Sequence, residues 1–247
     1  MQHQNAGISM SHSYRRTFIT GIVIALIGFV LPMDILGMNH MFTVHMAQHL
    51  LLALAASPLL LLSIPPSRLD QFLSTHRGIE RVIRGLTIPF VASLLFNANL
   101  WFWHAPPLLA AMMENTGLHL CADALYLITG LLFWWPLLRP LRDRTLSLGG
   151  KLGYLFFSDM PMMLLGAGMT FSGPLYAFSM TNPPMHMVVT AEDQQLGGLL
   201  MWVVGGLFFY VVVASIFFFQ WMFQQERIQQ AEEVKFNEVE QDINTSY

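Results

Sequence analysis

Six apolar stretches, each about 20 residues long, alternate with short polar connections, and this spacing constrains the chain more than any other feature. As an α-helix rising 1.5 Å per residue, such a stretch crosses a hydrocarbon core of about 30 Å. The stretches run from Thr17 to about Gly37, His40 to Ile64, Leu86 to His104, Leu118 to Leu138, Leu152 to Phe171 and Leu196 to Phe223. Only 11% of the 247 residues are charged, less than half the roughly 25% of soluble domains. The expected fold class is therefore all-α: a polytopic integral membrane bundle of about six transmembrane helices over residues 17–223. A polar N-terminal segment, residues 1–16, precedes it, and a polar, charged tail, residues 224–247, follows. No polar stretch is long enough to build a soluble catalytic domain, so no enzyme activity is expected. The single cysteine, Cys121, excludes an internal disulfide framework.

Tyr14-Arg15-Arg16 ahead of the first stretch loosely resembles a twin-arginine signal. The run behind it is long enough to span, and no small-x-small cleavage site follows, so it is read as a retained helix. Lysine and arginine give the orientation. With six spans, both termini and the connections after the second and fourth spans share one side. All 12 basic residues fall there, from Arg15 and Arg16 through Arg68, Arg77, Arg81, Arg84, Arg139, Arg142, Arg144 and Lys151 to Arg227 and Lys235. Both termini are therefore expected in the cytoplasm.

The opposite, outer side gathers the groups that carry chemistry. Six of the nine histidines fall there: His40, His45, His49, His104, His119 and His186. His45 and His49 are four residues apart, so they share one face of the second helix, with Met41 one turn earlier on the same stripe. Counted from His40, His45 lies about 7 Å and His49 about 13 Å further in. Ionisable groups at that depth are costly and mark function by default. Asp123 lies one turn below His119, and Asp159 lies deeper still, followed by Met160, Met162 and Met163. Imidazole with thioether suits copper, and thioether favours Cu(I). Bland readings stand beside these. His45 with His49, or His119 with Asp123, could be hydrogen-bonding pairs, the 17 methionines could be gap-fillers, Cys121 a small buried hydrophobe, and Glu192 and Asp193 N-terminal charges on the last helix.

Several runs carry a resemblance. His45-Met-Ala-Gln-His49-Leu-Leu-Leu, with Ser57-Pro58-Leu59-Leu60-Leu61-Leu62 and Ile64-Pro65 behind it, resembles the second-helix signature of the CtaG-type cytochrome c oxidase assembly factors. Trp103-His104-Ala105-Pro106 resembles that family's Trp-His-x-Pro motif, and Gly130-Leu-Leu-Phe-Trp-Trp-Pro136-Leu is similar to its fourth-helix run. Asp193-Gln194-Gln195-Leu196-Gly197-Gly198-Leu-Leu-Met-Trp202 resembles its Asp-Gln-x-x-Gly-Gly-x-x-Met-Trp ending. The four occur in the family's order, between about Met38 and Trp221. One departure stands out: where the family carries a Glu-His pair before the Phe-Trp-Trp run, this chain has Ala122 and Asp123. The resemblance implies a multi-pass protein of the bacterial inner membrane needed to make a haem-copper oxidase, with His45, His49, His104 and Asp193 at functional positions.

Three functions compete at this level. In the first, a copper-handling assembly factor uses His45, His49, His104 and His119 as a site open to the periplasm. Met41 and His186, with Met185 and Met187, would be softer capture ligands. Asp123 and Asp193 would complete or orient the set. Its partners would be oxidase subunits, membrane lipid and a periplasmic copper donor, with no nucleic acid. In the second, the same fold is an accessory oxidase subunit without metal. In the third, b-type haem sits between helices on His49 and either His104 or His119.

Overall fold

Helix starts are set by proline and by small capping residues. The computed structural model describes residues 12–30, 41–139, 141, 144–176, 179–180 and 187–245. Proline opens α4 (Pro66–Thr75), α6 (Pro89–Trp103) and α7 (Pro106–Glu114), where its missing N–H would have had no partner anyway. Asn115 caps α8 (Thr116–Leu138) through the Leu118 N–H, and Ser147 caps α9 (Leu148–Phe171) through the Gly150 N–H. Thr190 does the same for α10 (Ala191–Leu199) through the Asp193 N–H. The remaining helices are α1 (His12–Val30), α2 (Met41–Leu50), α3 (Ser57–Leu62), α5 (Arg77–Leu86) and α11 (Phe209–Thr245). A two-residue antiparallel pairing joins β1 (Ser179–Met180) to β2 (Met187–Val188).

Two π-helical segments were not foreseen. Leu51–Ala56 joins α2 to α3, and Leu200–Phe208 joins α10 to α11, so each predicted span is one continuous rod with a wide turn inside it. A π turn re-phases the helix and often marks a functional position. The first begins two residues after His49. Its carbonyls find partners from outside the ladder. Ser57 Oγ donates to Leu52 O at 2.8 Å, and the Trp134 indole donates to Ala53 O at 3.0 Å. Gly130 makes room for this contact: a Cβ there would lie 2.5 Å from Ser57 Oγ and 3.1 Å from Ala53 Cα. The Gly-Leu-Leu-Phe-Trp-Trp run of α8 is thus the surface that receives the π turn.

Among the described residues, four helices are long and apolar enough to cross a membrane: Phe42–Leu62, Thr116–Leu138, Leu148–Phe171 and Ala191–Val234. Helix α1 and the 15-residue α6 occupy the places of the other two expected spans. The apolar part of α1 begins at Thr17, and the residues meant to complete it, 31–37, lie outside those described. The stretch 66–86, expected as a basic loop, instead forms the paired helices α4 and α5. Pro106-Pro107 opens α7, and the polar tail continues as helix to Thr245. The outer surface is apolar: Phe90, Phe157, Leu164 and Phe171 are each more than 60% exposed, as lipid-facing side chains would be.

Inside, α8 packs against α3, the first π segment and α6, while α9 packs against α10 and the second π segment. Small residues set the second contact. A Cβ on Gly198 would meet Gly166 O at 2.7 Å and Thr170 N at 2.8 Å, and one on Gly166 would meet Gly198 O at 2.9 Å. Backbone touches backbone here, the close approach that small residues permit in membrane bundles. Gly198→Ala should therefore force α9 and α10 apart. We expect a loss of about 1–3 kcal/mol, read as earlier thermal unfolding in detergent, and no such loss for Gly153→Ala, where a Cβ meets nothing within 4 Å. At the basic end, arginines close helix C-termini. Arg139 donates to the carbonyls of Leu61 and Leu62 at the end of α3 and of Ile64 just beyond it, and Arg144 donates to Arg84 O at 2.7 Å near the end of α5.

Candidate metal centre

His45 and His49 project from one face of α2, as their spacing required, and meet α8 where it carries His119 and Asp123. Ligand-capable nitrogens of His45, His49 and His119 all lie within 4.8 Å of one another. The ring of His45 is 4.1 Å from that of His49 and 4.9 Å from that of His119, centroid to centroid. The His45 and His49 side chains are buried, and His119 is half-buried at the edge. Asp123, buried behind them, puts one oxygen 3.4 Å from His49 Nε2 and the other 3.7 Å from His119 Nε2. Tyr126, one turn further along α8, stacks on the His49 ring at 4.0 Å.

The electrostatics of this cluster are unusual. A neutral imidazole has one N–H to give and one lone pair to fill, and leaving either unsatisfied in a buried place costs about 1–3 kcal/mol. Yet among the described residues both ring nitrogens of His45, both of His49 and Nε2 of His119 find no hydrogen-bond partner, and neither does one oxygen of Asp123. Three imidazoles with unspent lone pairs beside a carboxylate form the donor set of a metal site. Bound at about 2.0–2.1 Å on a tetrahedral ion, nitrogens stand about 3.4 Å apart, so side-chain rotation has to draw the widest pair in by roughly 1.4 Å. The residues fit an imidazole-bound transition metal.

The other expected site residues divide. His104, at the end of α6, does not join the three; its ring is 6.4 Å from that of His49. Its Nδ1 contacts Leu100 O at 2.7 Å, and its Nε2 lies 3.2 Å from Met46 Sδ. Asp193 serves a different purpose from the ligand expected. One oxygen accepts from Phe42 N–H at 2.9 Å, and the other accepts from Thr43 N–H at 3.0 Å and from the Thr43 hydroxyl at 2.7 Å. A carboxylate from α10 thus caps the N-terminus of the helix that carries His45 and His49, where the helix dipole favours negative charge. Met41 begins α2, but its side chain and the whole of His186 fall outside the described residues. Cys121 is exposed on α8 rather than buried.

Two residues that mattered here were missed. Gln194 is buried and spends its amide on the end of α9 and the loop that follows it. It accepts from the Leu175 and Tyr176 N–H groups and donates to Met169 O, Gly173 O and Ser172 Oγ. That loop delivers Tyr176, whose hydroxyl donates to His104 O at 2.6 Å and whose ring stacks on Phe42 at 5.4 Å. Burial pushes the Tyr176 phenol up to about 12, so it stays a donor. The adjacency of Asp193 and Gln194 was the available signal: two polar side chains entering an apolar helix together must each be satisfied by a neighbour.

A bundle with helices long enough to cross a membrane and buried imidazoles facing one another defines a helical membrane protein with a buried histidine cluster. The chain belongs to the cytochrome c oxidase caa3 assembly factor (Caa3_CtaG) family, whose model matches residues 2–224. No curated protein and no solved structure matches it. Of the motifs that carried the resemblance, the α2 run supplies His45 and His49, and the Asp-Gln pair caps that helix; His119 and Asp123 of the cluster lie outside them.

Proposed function

We propose that the protein handles copper for the oxidase it helps assemble, binding it at His45, His49 and His119 at the periplasmic face of the bacterial inner membrane. The observation that carries this reading is the set of three imidazoles within 4.8 Å in which both ring nitrogens of His45 and of His49, and Nε2 of His119, have no hydrogen-bond partner among the described residues. Hydrogen-bonding pairs, the bland alternative, would have spent those nitrogens on each other. Copper is cargo in this reading, and no substrate is turned over. Asp123, with its oxygens beside His49 Nε2 and His119 Nε2, orients these imidazoles and offsets the charge of the ion. The family's Glu-His pair is replaced here by Ala122 and Asp123. Ala122 is fully buried and leaves room, while Asp123 supplies the carboxylate against the histidines.

The topology follows the arginines: six spans, with α1 and α6 completing the set, and both termini in the cytoplasm. His119 and Arg139 stand at opposite ends of α8, about 30 Å apart along the helix, which separates the imidazole end from the basic end by one membrane thickness. The exposed amphipathic pair α4–α5, with Phe72, Ile79 and Val82 on its apolar side, then lies in the inner headgroup layer.

The test is the copper content of the client. Oxidase purified from cells lacking this protein should contain haem but less copper than the complete enzyme, and wild-type protein should restore it. Oxidase with full copper in the deleted cells would remove the copper role and leave a metal-free accessory role.

A further inference from the structure

The pair formed by Met46 and His104 has a geometry that hydrogen bonding does not explain. His104 Nδ1 lies 2.7 Å from Leu100 O, and its Nε2 lies 3.2 Å from Met46 Sδ. A carbonyl oxygen and a thioether sulfur are both acceptors, and neither brings a proton. A neutral imidazole carries one N–H. The short contact to oxygen takes it, because two acceptors at 2.7 Å would repel. Nε2 is then left with its lone pair aimed at a sulfur lone pair. A doubly protonated ring would serve both contacts, but among the described residues no carboxylate pairs with His104; Asp123 faces His49 and His119. Both side chains are almost wholly buried, so water does not relieve the contact.

We infer that Met46 and His104 form a second metal station, a soft one for Cu(I), beside the three-imidazole cluster. The inference rests on the copper reading above. Nitrogen and sulfur bound at about 2.0 and 2.3 Å to a tetrahedral ion stand about 3.5 Å apart, so the observed 3.2 Å needs an adjustment of only a few tenths of an ångström. Imidazole with thioether is a donor set that selects Cu(I). Met162 and Met201 line the same small cavity as Met46 and His104, and bring two further thioethers to its wall. The ring is held from its other side: Leu100 O and the Tyr126 hydroxyl, 3.3 Å away, engage Nδ1, and Tyr176 holds the backbone carbonyl. Such outer contacts fix the tautomer and aim of a ligating histidine. A gap-filling role would account for the burial of Met46, but not for two lone pairs facing at 3.2 Å. His49 lines the same cavity and belongs to the neighbouring cluster, so the two stations share an edge.

The test is an anaerobic titration of the full-length, detergent-purified protein with Cu(I) against a chromophoric Cu(I) chelator, followed by X-ray absorption at the copper edge. Wild type should bind two equivalents and show a sulfur neighbour. Met46→Leu, close in volume, should bind one equivalent and show nitrogen or oxygen neighbours only. His45→Ala/His49→Ala should also bind one, with the sulfur neighbour retained. Copper bound by wild type without any sulfur neighbour overturns the second station and leaves the imidazole cluster standing. No copper bound by wild type overturns both. The wild-type spectrum decides the matter even if Met46→Leu does not fold.

Discussion

His45→Ala/His49→Ala should abolish copper binding at the imidazole cluster. Two of its three ligands disappear, and the loss should exceed the about 10–100-fold typical of removing an outer-sphere partner. The measurement is competition for Cu(I) by purified protein, with the wild type alongside. Folding should be little affected, because the variant removes two buried imidazoles that make no hydrogen bonds, and circular dichroism and thermal unfolding in detergent would check this. Unchanged copper stoichiometry in a folded double variant would move the metal elsewhere and return these histidines to packing.

Asp193 should separate stability from metal binding. Asp193→Ala removes the acceptors of the buried Phe42 N–H and the half-buried Thr43 N–H, as well as of the Thr43 hydroxyl. At about 1–3 kcal/mol for each amide left unsatisfied, the loss should be about 2–5 kcal/mol, seen as a lower unfolding temperature. Asp193→Asn keeps one oxygen and should fall between alanine and wild type. Copper stoichiometry should be the same in Asp193→Asn as in wild type. A ligand role predicts the opposite order, copper lost in both variants with little change in stability.

The contrast between these two residues shows what could be read in advance. His45 and His49 were legible because helical spacing alone puts them on one face, at a depth where an idle imidazole is costly. His119 and Asp123 were legible by the same rule on another helix. That the two pairs face each other was inferred only from depth, and the packing of α8 on the α2 rod supplies it. His104 and Asp193, singled out by the resemblance and by their place on the outer side, have other neighbours. His104 turns to Met46, and Asp193 caps α2. Depth places a residue along the membrane normal, but not around the helix axis. Met46 was passed over for a related reason: next to His45 in sequence, it points about 100° away on the helix, towards a neighbour that only packing brings.

The paired helices α4 and α5 were hidden by the same emphasis on charge. Arg68, Arg77, Arg81 and Arg84 marked the stretch as basic, and the apolar positions between them, Ile79, Val82 and Ile83, supplied the helical period that charge obscured. The π segments gave no composition signal at all. Leu-Leu-Ala-Leu-Ala-Ala is good α-helix, and it widens because Trp134 and Ser57 offer bonds to its carbonyls.

By itself, then, the sequence determined that the chain is a helical membrane protein and which side chains sit deep with nothing of their own helix to satisfy them, since both follow from local quantities: apolar length and residue spacing. Only the tertiary structure decided which of those side chains meet. It gathers three imidazoles and a carboxylate, turns a fourth imidazole to a thioether, and gives the second carboxylate to a helix end. Rotation about each helix axis and the close approach of glycines set those meetings, and both are properties of pairs of helices rather than of one.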